Sequence, residues 1–158
     1  TQTALGAEQP KEIIHITKEM VINARNKLSI LDIEQIDCVA VGSPHFSDRE
    51  CRTLLSLAGK ERFKIPVYIC TGRHTMAQLE RDGTDQDLKD LGVIFVIDTC
   101  IVVTPILPKD SGVLMTNSAK FAHYAAGNTG YAPVFGSLTD CIKSAQAGKL
   151  IWDSSVWG

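Results

Sequence analysis

The amino-acid sequence predicts an α/β fold, a three-layer sandwich on a mainly parallel sheet, and three observations carry that expectation. Short apolar runs rich in β-branched residues recur at residues 38–41 (CVAV), 67–70 (VYIC) and 93–98 (VIFVID). Each is too short for a helix and is bounded by turn-forming residues. Each run opens into a polar stretch, whose markers Ser43, Thr71 and Thr99 stand 28 residues apart. Steps of that length accommodate a crossover between parallel strands, in the right-handed sense such connections take. Third, Ser47 with Glu50, and Ser137 with Asp140, have the spacing of a capping box and mark two helix starts.

Residues 1–12 carry no periodicity and read as a lead-in or linker. Ile13, Ile14 and Ile16 suggest extended backbone around His15. Thr17 has N-cap chemistry, and Met20, Ala24, Leu28 and Leu31 recur at helical spacing, predicting an amphipathic helix from Thr17 to about Ile30. The first core strand ends in GSPH at residues 42–45. Phe46 can then staple against Cys51, and Cys51, Leu54, Leu55 and Ala58 form a buried stripe. The second strand leads through residues 71–74 to a short helix over 75–81. Thr84 with Asp87 opens another helix, which Gly92 stops. The third strand delivers Asp98, Thr99 and Cys100 to its carboxyl end. Beyond it come a turn at 108–112, a short strand at 113–115 and a helix capped by Asn117 or Ser118. Gly127, Asn128 and Gly130 predict a loop. Val134 and Phe135 lead into a final helix with Leu138, Cys141, Ile142 and Ala145 inward. Residues 13–152 thus read as one domain and 153–158 as a tail. Trp152 and Trp157 either close this domain's core or dock on another part.

At 158 residues, 44% apolar and 22% charged, with net charge −2, the chain has an ordinary globular composition. No basic surplus marks a nucleic-acid binder. No apolar stretch approaches the ~20 residues of a membrane span, and no secretory leader stands out. The five cysteines are odd in number and scattered, without CxxC or CxxH spacing. That argues for a reducing compartment, expected to be the cytoplasm, and against a self-contained zinc site. Because the first residue is Thr rather than Met, a domain of a longer protein is expected.

Parallel topology should gather the polar stretches 42–45, 71–74, 98–100 and 116–120 at one sheet edge, where open α/β sheets bind ligands. Helix starts there offer N–H groups, and Arg73 and Lys120 add positive charge suited to a carboxylate or phosphate. These residues predict a small-anion site without naming a reaction. Cys38, Cys51, Cys70 and Cys141 fit core positions, and His15 and His74 structural or solvated ones. His45 is either an exposed loop residue or a ligand. Cys100 stands out by its place at a strand tip.

The segments GSPHFS (42–47), CTGRH (70–74), DTCIVVTPI (98–106), MTNSAKFAHYAAGNTG (115–130) and FGSLTDC (135–141) occur in one order. Together they resemble aconitase X, specifically the C-terminal α/β domain of its large subunit or segment, over about residues 14–152. The resemblance implies an aconitase-domain-like fold within a larger hydro-lyase, or dehydratase, holding an iron–sulfur cluster or iron between domains. Family activities are dehydration of cis-3-hydroxy-L-proline in bacteria and of mevalonate 5-phosphate in archaea.

By the same resemblance Cys100, in the DTC element, is a metal ligand, one of about three thiolates needed. Ser43, His45, Thr71, Arg73, Asn117, Ser118 and Lys120 become substrate-binding residues. The partners implied are a small hydroxy-carboxylate and the remaining domains or small subunit. Those parts supply the other ligands and the catalytic base, a serine by superfamily analogy. This piece alone is expected to be colourless and inactive. Ser43 stands where archaeal-like members have Cys (GCPH), and Gly72 where TSR is commoner. The first departure, and the scarcity of cations for a phosphate, favour the hydroxyproline branch over phosphomevalonate dehydration. A non-catalytic anion-binding or subunit-docking module is the alternative from another class.

Overall fold

Five strands, β1 (Cys38–Phe46), β2 (Val67–Thr71), β3 (Val93–Ile97), β4 (Gly112–Thr116) and β5 (Tyr131–Phe135), pair in parallel throughout, in the order β3-β2-β1-β4-β5. This computed structural model describes residues 3, 6, 10–30, 32–108 and 111–157. Alternation along the strands feeds two cores. Val39, Val41, Val67, Ile69, Val93, Met115 and Val134 face one core. It is completed by α2 (Asp48–Ala58), α3 (Arg73–Arg81), α4 (Thr84–Leu91) and α6 (Leu138–Ala147) through Cys51, Leu54, Leu79, Leu88 and Cys141. Cys38, Ala40, Tyr68, Cys70, Val96, Leu114 and Tyr131 face the other core. It lies under Phe121 and Ala125 of α5 (Ala119–Thr129) and the segment 100–107. Helix, sheet and helix make three layers, as expected. Fully buried side chains such as Leu54, Ile69 and Leu114 each contribute about 1.5–3 kcal/mol by leaving water.

Both capping boxes form. The Ser47 amide donates to the Glu50 carboxylate at 2.9 Å, and the Ser137 amide to Asp140 at 2.7 Å. Gly92 ends α4 in the left-handed conformation predicted for it. All five cysteines are buried, and none forms a disulfide.

Several expectations need correction. β1 does not stop at Val41 but runs to Phe46, because the GSPH stretch is a bulge inside the strand. Val41 pairs with Ile69 and Phe46 with Thr71, so residues 42–45 stand opposite Cys70 alone. Helix α3 begins at Arg73, two residues early. Gly127 and Asn128 lie in the last turn of α5, and only Gly130 forms the left-handed cap. Residues 131–135 are a full strand. Pro133 is tolerated because β5 is an edge, and its carbonyl accepts from the Ile30 amide at 2.9 Å.

The N-terminal helix α1 (Lys18–Lys27) is capped by Thr17 but buries none of its residues, so its stripe does not face the core; Met20 is 46% exposed. Leu31 of that stripe, Lys109 and Asp110 of the predicted 108–112 turn, and most of residues 1–9 lie outside the described residues. Of the two tryptophans, Trp152 packs on this chain's own first core, and Trp157 reaches it through Trp152 and Asp140. The two rings stack edge-on, and Trp157 belongs to the short helix α7 (Ser154–Trp157).

Candidate functional site

Strand order reverses between β1 and β4, and at such a switch point the loops diverge and leave a crevice at the strands' carboxyl ends. A cleft of about 220 Å³ lies there, lined by Gly42, Ser43, His45, Phe46, Glu50, Asn117 and Ser118. One wall is the β1 bulge and the other is the start of α5.

The bulge is held from below. Gly42 has φ +81°, and a Cβ there would run into the Cys70 carbonyl and lie 2.8 Å from the Phe46 nitrogen. Only glycine meets both conditions. Thr71, fully buried, donates its hydroxyl to the Phe46 carbonyl at 2.7 Å. Thr71 therefore does not face the cleft; it shapes it from beneath. Ser43, at the bulge tip, links three segments. Its hydroxyl accepts from the Cys100 thiol at 3.4 Å, and its carbonyl accepts from the Ser118 hydroxyl at 3.4 Å. Ser118 also caps α5 by accepting from the Phe121 amide, fixing which end of that helix meets the cleft.

The fold thus brings Ser43, His45, Asn117 and Ser118 around one space, with Cys100 behind Ser43. Cys100 is 8% exposed, in the core beneath the sheet edge yet touching the bulge tip. It also contacts Cys70, whose thiol burial pushes up to about 12, so Cys70 stays protonated near neutral pH. Lys120 is exposed on the first turn of α5, outside the cleft lining.

Arg73 is not among the lining residues; it stands on the β2 side of the cleft. Asp98 accepts from its backbone amide at 2.8 Å and from its Nε at 2.5 Å. Those contacts, the backbone N–H first, hold the Asp98 carboxyl below the usual carboxylate range. The pair cancels much of the positive charge expected at this edge. Sequence reasoning missed this clamp and the wall role of Glu50, which doubles as cleft and cap. The available signal for the clamp was an acid one residue beyond β3, opposite an arginine two residues beyond β2.

The family model of the aconitase X third domain matches residues 36–147. The chain belongs to that family. A cis-3-hydroxy-L-proline dehydratase from Pseudomonas aeruginosa is 34% identical over 98% of this chain and 27% of its own length. The large subunit of a phosphomevalonate dehydratase from Methanothermobacter thermautotrophicus is 30% identical over 78% of this chain and 31% of its own. The solved structure of Thermococcus kodakaraensis aconitase X, a holo-form, superposes with a TM-score of 0.66 at 26% identity, covering 80% of this chain and 33% of that one. This chain therefore spans about a quarter to a third of the length of the proteins it matches.

Among the described residues, no group of three or more His, Cys, Asp or Glu side chains is arranged to hold an ion. Cys70 is a protonated core thiol, and Ser43 offers a hydroxyl rather than a thiol. Among the described residues these side chains do not compose a metal site by themselves. Among the described residues, no helix is long and apolar enough to cross a membrane.

Proposed function

We propose that this chain is the substrate-binding wall of an aconitase X-type hydro-lyase that dehydrates cis-3-hydroxy-L-proline. The observation that carries this reading is the cleft at the strand-order reversal, where Ser43, His45, Asn117 and Ser118 converge on a space sized for a small hydroxy acid. The near-complete alignment with a cis-3-hydroxy-L-proline dehydratase supports that substrate. In this reading Asn117, Ser118 and the first N–H groups of α5 orient the acid, and Ser43 and His45 contact its polar ring substituents. Arg73 binds the carboxylate from the β2 side through N–H groups that Asp98 leaves unused, and Lys120 contributes charge at the rim. Cys100 provides one sulfur toward an iron or iron–sulfur centre owned jointly with the remaining domains or small subunit. The proton-abstracting base also lies outside this chain.

Phosphomevalonate dehydration is the second reading, favoured by the archaeal large-subunit relative. It asks the same edge to hold a phosphate, and with Arg73 paired to Asp98 the unneutralised cations there are few.

The test is to prepare the full-length enzyme anaerobically and assay it with both cis-3-hydroxy-L-proline and mevalonate 5-phosphate, comparing wild type with Cys100→Ser. Turnover of the hydroxyproline, with iron content and activity both lost in Cys100→Ser, is the expected result. Turnover of the phosphorylated acid instead overturns the substrate. Full activity and iron in Cys100→Ser overturns the role of that sulfur.

A further inference from the structure

We infer that Asp98 is a positioning residue for Arg73, fixing the guanidinium so that its two terminal nitrogens are presented to the substrate carboxylate. The inference rests on the reading of Arg73 given above. Among the described residues Asp98 is the one non-glycine residue at positive φ, +59°. Aspartate tolerates that left-handed corner better than most residues, yet it remains an unfavourable place for a side chain. What the corner achieves is visible across the β2–β3 pair. Thr71 and Ile97 are register partners, so the residues just past each strand end face one another. Helix α3 starts there with Gly72 as N-cap and no side-chain capping bond. Asp98 supplies the missing acceptor from the neighbouring strand. Its Oδ1 takes the Arg73 amide at 2.8 Å, while its Oδ2 takes Nε at 2.5 Å.

That second contact is selective. Arginine has five N–H donors in a rigid planar fork, and engaging Nε leaves both terminal nitrogens, the edge that grips a carboxylate with two parallel hydrogen bonds. The Arg73 side chain is 75% exposed, so this ion pair adds little stability. A strained backbone corner serving an exposed pair is better explained by orientation than by folding. The location fits. His45, on the cleft wall, brings its Nδ1 within 3.7 Å of where a Cβ on Gly72 would stand. Arg73 and Asp98 therefore flank the cleft just behind His45.

The experiment is a double-mutant cycle in the full-length enzyme with cis-3-hydroxy-L-proline as substrate, using Asp98→Asn, Arg73→Ala and the double variant. Asparagine tolerates the left-handed corner and keeps an acceptor for the Arg73 amide, but loses the charge at Nε. Asp98→Gly is the companion, relieving the backbone while removing the carboxylate altogether. Both Asp98 variants should raise KM by about tenfold with kcat within about twofold, and the effect should vanish in the Arg73→Ala background. A raised KM in Arg73→Ala with an unchanged KM in Asp98→Asn and Asp98→Gly overturns the role of Asp98 alone. So does an Asp98 effect that persists undiminished without Arg73. An unchanged KM in Arg73→Ala, or no turnover by wild type, overturns the carboxylate reading itself and this one with it.

Discussion

Thr71 shows how one buried hydroxyl can set the shape of a cleft it never faces. Its side chain is fully buried, and its single proton goes to the Phe46 carbonyl at the point where β1 rejoins the β2 ladder. Without that bond the Phe46 carbonyl loses its buried hydroxyl partner, and residues 42–45 lose an anchor at the downstream end. Gly42 anchors the upstream end by steric necessity. Thr71→Val keeps the volume and removes the donor, so it isolates the hydrogen bond. It should cost about 1–3 kcal/mol, the range for removing one partner of a buried hydrogen bond. Urea denaturation of wild type and variant measures it; a loss well under 1 kcal/mol would mean that the bulge holds itself. Cys100 and Ser43 belong to the same local design, since the thiol donates to the hydroxyl that the bulge presents.

At the scale of elements, the two capping boxes share a motif but not a burial. Glu50 is exposed at the mouth of the cleft, and its box contributes about 1 kcal/mol. Asp140 is completely buried and accepts from four donors: the Ser137 amide and hydroxyl, the Asp153 amide at 2.6 Å and the Trp157 indole at 2.6 Å. Asp140→Ala should therefore cost on the order of 3 kcal/mol or more, against roughly 1 for Glu50→Ala. Thermal or urea unfolding of the two variants side by side tests that ranking. The sequence contained both boxes in full, because caps are local chemistry read within four residues. The parallel strands were legible for the same reason, from short apolar runs and the length of the steps between them. What stayed hidden was non-local. Nothing near Ser43 announces that four residues will oppose Cys70, and the Asp98–Arg73 clamp exists only once β2 and β3 are in register. The start of α3 at Arg73 follows from that clamp, since Gly72 offers no side-chain cap of its own.

Across the whole molecule, segments far apart in sequence are tied down by charge at the flanks of the sheet. Arg25 of α1 lies 4.6 Å from the Trp152 ring centroid and 4.7 Å from that of Trp157, linking a helix that buries nothing to the far end of the chain. Asp153 accepts from Lys143 at 2.8 Å and from the Ser155 hydroxyl and amide, setting the turn that delivers Trp157 to Asp140 and Arg25. On the opposite flank Asp82 accepts from Thr84 and pairs with Arg52 at 2.8 Å, joining α2 to the α3–α4 corner. Both carboxyls are held at about 2, Asp153 chiefly by Lys143 and Asp82 chiefly by the Thr84 hydroxyl and then Arg52. A folded pKa below the unfolded one means the unfolded chain binds protons first as acid is added. The stabilisation from each group is therefore complete above about pH 4 and is lost as pH falls toward 2. Urea midpoints measured at pH 7, 4 and 2.5 should hold nearly level between the first two and drop at the third. Asp153→Asn should start lower at pH 7 and fall less between pH 4 and 2.5. It should also raise amide exchange in residues 18–27 and 154–157 while β1 and β2 stay protected, because the anchor it loosens is the one beneath the Arg25 clamp. An Asp153→Asn variant with the same acid slope as wild type would show that this flank is held by Asp140 and the tryptophans alone.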